Sequence, residues 1–358
     1  MAIVAHHYTY VIGVDTHAKK HVFSILECPT GIEVINQAFA NTTPGHTRAA
    51  TWIAKHATKD TANVLIVVEG TASYGATLTR FLQGKGYTVV EAPRPDRKGR
   101  YQPKTDKIDA YHIAWRALKL EENALTIPRQ GTEREALRIL MASRRQLTRT
   151  KTAQINALTA LVRTIDVGVD ARRPLTTAQI SGLARLENVP GEDIQMVIAK
   201  QEARRWAQSI LDLGKCLEEN LGQIKMIVQL VAPLLLDLPG IGPFAAGQII
   251  VSFSHAGRVR SEAAFASLAG VCPIPACSGN TVRYRLSRGG DRALNHALHM
   301  AVLVRMRSDE ETRAYVDKRL GEGKTKREVI RVLKRYLARR VYRLLTRHMR
   351  AEDTILAS

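Results

Sequence analysis

Between residues 8 and 118, short apolar runs alternate with amphipathic stretches. "YTYVIGVD" is an apolar run that ends at Asp15. "KHVFSILEC" and "IEVINQAFA" follow, separated by the turn signal "PTG". Thr43 to His56 reads as a helix. "NVLIVVE" has the length and unbroken apolarity of a buried strand, and it ends at Glu69. "YGATLTRFLQGKG" reads as a helix closed by glycine, "YTVVEA" as another strand, and Thr105 to Leu120 as another helix. Three strands, a helix, then alternating strands and helices predict an α/β domain over residues 1–128.

From residue 129 the period changes. Residues 132–165 read as one long helix, with Ile155, Leu158, Val162 and Ile165 at alternating three- and four-residue steps. Arg138, Arg144, Arg145, Arg149, Lys151 and Arg163 make it basic. Residues 166–190 hold Gly168, Pro174, Gly182 and Pro190 and read as a loop-rich break. A second long helix runs from about Glu192 to Ala232, its seam marked by Trp206, Ile210, Leu213, Leu217, Leu221, Ile224, Val228 and Val231. The pattern suits a coiled-coil or assembly segment over 129–233, with the two helices paired in one chain or between protomers.

"LLLDLPGIGPFAAGQII" has the helix–hairpin–helix signature, a Pro-Gly-apolar-Gly turn before a small-residue helix. Gly240 and Gly242 let the backbone turn tightly and approach a phosphate, which the helix N–H groups can bind. The same sequence also suits a tight turn between packed helices. This mainly α region covers 234–308, and a basic helical tail covers 309–358. In the tail, Val329, Val332, Leu333, Tyr336, Leu337, Val341 and Leu344 supply a packing face beneath a row of lysines and arginines from Lys324 to Arg350.

Charge sharpens this picture. Lysine and arginine total 53 against 33 acidic residues, for a formal net charge of +20. That excess implies a polyanionic partner, nucleic acid above all. No apolar run reaches the roughly 18 residues of a membrane span, and the N-terminus lacks the pattern of a signal peptide. Cys28, Cys216, Cys272 and Cys277 form no CxxC pair, which points to a reducing cytoplasm and away from a zinc ribbon.

Two carboxylates, Asp106 and Asp109, open a helix just after Arg94, Arg97, Lys98, Arg100 and Lys104. Acidic residues favour any helix N-terminus, but a second reading joins them to Asp15 and Glu69. In a ribonuclease H-like sheet the strands ending at Asp15 and Glu69 lie side by side. Asp106 and Asp109, three apart, share a helix face. Four such carboxylates need a cation, and magnesium, with manganese as the alternative, prefers carboxylate oxygen and leaves positions for phosphate.

A second group lies in "CPIPACSGNTVRYRLSRGGDRALNHAL". Ser278 precedes a glycine and is flanked by Arg283, Arg285, Arg288 and Arg292. Such arginines neutralise a phosphodiester and stabilise charge built up during attack on it. Equally, Ser-Gly is a common turn and arginine clusters bind phosphate without chemistry. No clear base lies nearby, since His296 and His299 read as helix residues.

Taken in order, "GVDTHAKKH", "VEGTASYG", "KTDKIDA", "LPGIGPFAAGQI", "FASLAGVCPIPACSG" and "RGGDRALNHAL" resemble the DEDD transposases of bacterial insertion elements, a group with pilin-gene invertases and bridge-RNA-guided serine recombinases. The resemblance spans nearly the whole chain. It implies a RuvC-like, ribonuclease H-fold nuclease domain whose metal-binding tetrad is Asp15, Glu69, Asp106 and Asp109. It implies that Ser278 is a nucleophile joined to DNA, in a site shared between protomers of a dimer or tetramer. It implies that a non-coding guide RNA specifies target and donor DNA. Gly240, Gly242, Arg144, Arg145, Arg149 and Lys104 are expected to join the serine-flanking arginines in gripping nucleic acid. Cys277 stands where some relatives have another hydroxyl residue.

Three other readings remain open at this point. One is a hydrolytic Holliday-junction resolvase-like nuclease that uses the tetrad alone. Another is an actin-like or sugar-kinase ATPase, suggested by "VIGVDTH" but lacking a second glycine-rich phosphate loop. The last is a nucleic-acid binder without catalysis.

Overall fold

Valine, isoleucine and leucine crowd the first apolar runs, and those runs form one sheet. The computed structural model describes residues 3–93, 106–275, 284–285, 287 and 289–356, and the chain divides into two units, Met1–Arg129 and Gln130–Ser358. The first unit contains α1 (Val4–His7), β1 (Tyr10–Thr16), β2 (Lys20–Glu27), β3 (Glu33–Ala40), α2 (Thr43–His56), β4 (Val64–Val68), α3 (Ala76–Gly84), β5 (Thr88–Glu91) and α4 (Asp106–Leu118). The strand order is β3-β2-β1-β4-β5. β1 runs antiparallel to β2 and parallel to β4, which is parallel to β5. This mixed α/β architecture is consistent with a DEDD nuclease fold.

Side chains alternate across a strand, and the buried residues sort accordingly. Ile12, Val14, Val64, Ile66 and Val68 pack on one face with Ala49, Trp52 and Ile53 of α2 and Leu78 and Leu82 of α3. Val11, Leu65 and Val67 pack on the other face with Ile113, Ala114 and Ala117 of α4. With both faces covered, β1 and β4 read as continuous apolar runs. Gly13 explains how α4 comes so close. A Cβ at this position would collide with the Ala110 carbonyl oxygen, so only glycine lets the helix cross here.

The second unit is mainly helical. It contains α5 (Thr132–Thr164), α6 (Thr177–Leu183), α7 (Ile194–Val231), α8 (Pro243–Phe253), α9 (Glu262–Leu268), a two-stranded ribbon of β6 (Ile274–Pro275) and β7 (Tyr284–Arg285), α10 (Arg292–Ser308), α11 (Glu310–Gly321) and α12 (Lys326–Leu356). The two long helices, α5 and α7, pair within the chain. Leu137 and Met141 at the start of α5 meet Ile224 and Val228 at the end of α7, and Leu158 and Val162 near its end meet Ala203, Ala207 and Ile210 near the start of α7. The pair is therefore antiparallel. Residues 166–190, expected as loop, contain α6. Thr176 and Gln179 form a capping box at its start, and Ile180 and Leu183 bury its apolar side.

From Ala245 onward α8 is buried all round, as its apolar sequence demands. It packs with Leu294, Leu298 and Val302 of α10 and with Leu337 and Val341 of α12. Residues from the stretches 129–233, 234–308 and 309–358 thus share one core. The Pro-Gly-Ile-Gly turn enters α8 with Gly240 at φ +79°. A Cβ on Gly240 would strike the Ala301 carbonyl of α10, so this glycine serves helix packing. Gly242, the N-cap of α8, is exposed and uncapped by any side chain.

Candidate active site

The register of β1 and β4 places two of the predicted carboxylates. Val14 pairs with Val68, so Asp15 and Glu69 come next on neighbouring parallel strands. Glu69 donates its N–H to the Val14 carbonyl at 3.0 Å, and its own carbonyl accepts from Thr16 Oγ1 at 2.8 Å. By the two-residue alternation both side chains fall on the face that carries α4. There the Gly13–Ala110 crossing brings the first turn of α4, with Asp109, toward the same strand ends.

Electrostatics couples the three. The Glu69 carboxyl is raised above its ordinary pKa, first by burial, then by the charges of Asp15 and Asp109, with Arg116 and His17 opposing. Asp15 is 7% exposed, and its Oδ2 lies 2.9 Å from His17 Nε2. A hard oxygen donor set under mutual repulsion suits a divalent cation such as magnesium. Among the described residues, however, no three acidic, imidazole or thiol groups close into a ligand set for one ion. Asp106 is the first residue of α4, and its side chain lies outside the described residues.

Three contributors were missed in the sequence. Gly13 admits α4, His17 contacts Asp15, and Arg116 moderates the carboxylate charge. A signal for two of them was present. His17 follows Asp15 by two residues, one position past the end of β1, and a glycine inside a strand marks a close backbone approach.

The remaining predicted residues, Lys104 apart, belong to the second unit. Ser278, Arg283 and Arg288 lie outside the described residues, as does Lys104 of the first unit. In sequence, Ser278 falls in the segment joining β6 to β7. Arg285 on β7 and Arg292 at the start of α10 are exposed. Asp291 sets the start of α10 by accepting the N–H groups of Ala293 and Leu294 at 2.8 and 3.1 Å. Its other oxygen accepts from Ser252 Oγ at 2.7 Å, and that hydroxyl in turn accepts from Gln248 Nε2. Arg145 and Arg149 are exposed on α5. Arg144 is committed within the protein. Its Nη1 donates to the Leu217 carbonyl at 2.8 Å, and its guanidinium lies 5.7 Å from the Phe244 ring centre. It clamps α5 to α7, and burial lowers its pKa.

Among the described residues no helix is long and apolar enough to cross a membrane.

Residues 12–166 match the DEDD transposase family of the IS110 type, described as "Transposase", and residues 232–317 match the "Transposase IS116/IS110/IS902 family". The chain is similar to the "Insertion element IS110 uncharacterized 43.6 kDa protein" of Streptomyces coelicolor, 30% identical over 96 residues, which cover 26% of this chain and 24% of the relative. It is also similar to the "Insertion element IS900 uncharacterized 42 kDa protein" of Mycobacterium paratuberculosis, 25% identical over 183 residues, which cover 48% of this chain and 43% of the relative. The matched stretches thus span less than half the length of either relative. Residues 12–166 and 232–317 thus carry, in order along the chain, two transposase domains of the IS110-type insertion-element family.

Proposed function

We propose that this protein is a DNA transposase that cuts and rejoins the ends of an insertion element through a serine–phosphate intermediate. The strand register that sets Asp15 beside Glu69, with Asp109 near enough to act on the Glu69 carboxyl, supports this reading. Asp15, Glu69, Asp106 and Asp109 hold magnesium, with manganese as a substitute. When bound, the ion offsets their charge and polarises phosphate oxygens.

Ser278 is the nucleophile. Its Oγ bonds to phosphorus as the P–O bond to the leaving strand breaks. The departing strand gains a proton and becomes a free hydroxyl, while the serine proton passes to a base. Attack by a strand hydroxyl then forms a new phosphodiester and releases the serine. Bond energy is kept in the serine ester, so no ATP is consumed. Arg283, Arg285, Arg288 and Arg292 neutralise the phosphodiester.

The substrates are element-end and target DNA. A non-coding guide RNA selects them by base pairing, leaving the protein to hold backbone and shape. A dimer or tetramer joins the tetrad of one protomer to the serine of another. The protein works in the bacterial cytoplasm, on the nucleoid.

The test is to incubate purified protein with flanking element DNA, candidate RNA and magnesium, and to resolve protein-linked DNA on denaturing gels. Wild type gives the adduct and Ser278→Ala gives none. An adduct that persists in the variant overturns the role of Ser278. Strand cleavage at the normal rate without adduct moves the reading to a hydrolytic, resolvase-like nuclease.

A further inference from the structure

A cavity of about 410 Å³ opens in the second unit between the β6–β7 ribbon and helices α11 and α12. Six cations line it: Arg285, Arg319, Lys324, Arg331, Lys334 and Arg335. Among the described residues the lining holds a single carboxylate, Glu328. That carboxylate is occupied at the start of α12, where it accepts the N–H and Oγ1–H of Thr325 at 2.9 and 2.8 Å. Outside the lining, Glu322 pairs with Arg319 and Glu262 with Arg335, so the positive excess of the site rests on Arg285, Lys324, Arg331 and Lys334.

Two further observations identify donors in the site that an anion would satisfy. Lys334 is only 6% exposed, and among the described residues its Nζ has one hydrogen bond, to Asn295 Oδ1 at 3.2 Å. Burial and the charge of Arg331 lower its pKa. Arg319 Nε and Arg335 Nη1 are enclosed and find no acceptor among the described residues. A buried donor left unpaired is costly, and a bound anion removes that cost. Guanidinium groups pair best with a planar or phosphate oxyanion.

The cavity also has aromatic walls. Tyr284 and Tyr336 line it and are 55% and 49% exposed. Tyr336 is held edge-on by Tyr315, ring centres 6.1 Å apart, and Tyr284 is tied to α12 through its carbonyl, which accepts from Arg331 Nη1 at 3.3 Å. Exposed aromatic faces beside a row of cations are the means by which proteins hold unpaired nucleotides.

We propose that this cavity binds one unpaired nucleotide of a single-stranded nucleic acid, its phosphate on Lys334, Arg331 and Arg335 and its base on Tyr336 or Tyr284. The proposal deepens the reading of the chain as a nucleic-acid-processing protein. Its test needs no metal and no cleavage, so it fails or holds apart from the catalytic reading.

Binding of the full chain is measured by fluorescence anisotropy in EDTA, with labelled oligodeoxythymidylate or oligouridylate of about 12 nucleotides. An abasic oligonucleotide of the same length and a blunt duplex serve as comparison probes. Arg331→Gln and Lys334→Met are expected to weaken single-strand binding roughly 5- to 10-fold, and Arg331→Gln to lower the salt slope by about 0.7. Tyr336→Ala is expected to weaken the base-bearing probe roughly 5-fold and the abasic probe not at all. Lys59→Gln and Arg80→Gln, which remove exposed cations of the first unit, give the charge-loss baseline. Circular dichroism confirms that each variant folds, and Arg331→Gln carries the test should Lys334→Met not fold. The DNA and RNA probes show which strand the pocket prefers. The proposal is overturned when the pocket variants lose no more than the baseline pair. It is also overturned when Tyr336→Ala affects abasic and base-bearing strands alike, or when duplex binding falls as much as single-strand binding.

Discussion

The carbonyl oxygen of Ala110 occupies the place where a Cβ on Gly13 would have to go. That one close approach lays α4 across β1 and brings Asp109 to the strand ends that carry Asp15 and Glu69. The obstacle is backbone, so no rotamer change relieves it.

Gly13→Ala should therefore destabilise the protein by about 1–3 kcal/mol, the usual range for overpacking a core. It should also displace α4 and reduce metal-dependent cleavage. Chemical denaturation and a cleavage assay on the same preparation check both effects.

Glu69→Gln removes a carboxylate that burial, Asp15 and Asp109 all disfavour. Without metal the variant should melt at or above the wild-type temperature. With millimolar magnesium the wild type should rise in melting temperature and the variant should not, because a ligand stabilises only the state that binds it. Thermal melts with and without magnesium make the comparison.

A pH dependence follows from His21 and His46, whose rings stack 5.7 Å apart beneath the sheet edge. Burial lowers the pKa of both. For His21, His46 and His17 add to the shift and Asn41 opposes it. The unfolded chain binds more protons than the native state below the ordinary histidine pKa of about 6.5. Stability contributed by this pair is thus complete above that pH and is lost as pH falls toward the native values. His46→Gln should flatten the decline between about pH 6.5 and 5 in urea-melt midpoints.

Asp291 caps α10 and receives Ser252. Asp291→Ala should cost about 1–2 kcal/mol for the lost cap, and more because Ser252 and Gln248 lose their acceptor chain. Asp291→Asn should recover most of it. Urea denaturation distinguishes the two.

The sheet domain was legible because its signals are local. Apolar runs ended at Asp15 and Glu69, turn residues separated them, and Thr43 to His56 forms a helix with the bounds its sequence predicted. The neighbouring placement of Asp15 and Glu69 was legible through strand-end position. What escaped was long-range. Gly13 gains its meaning only from Ala110, almost a hundred residues on, and Gly240 only from Ala301. Arg144 read as one of a basic row, yet Leu217 and Phe244, distant in sequence, claim its guanidinium. The cationic cavity escaped for the same reason, since β7, α11 and α12 meet only in the fold.

The most direct measurement is cleavage of element-end DNA by the Asp15→Asn/Glu69→Gln double variant in magnesium, with DNA binding measured alongside. The account predicts that binding persists while cleavage and the protein–DNA adduct fall below detection. Cleavage at the wild-type rate by a folded double variant would contradict it.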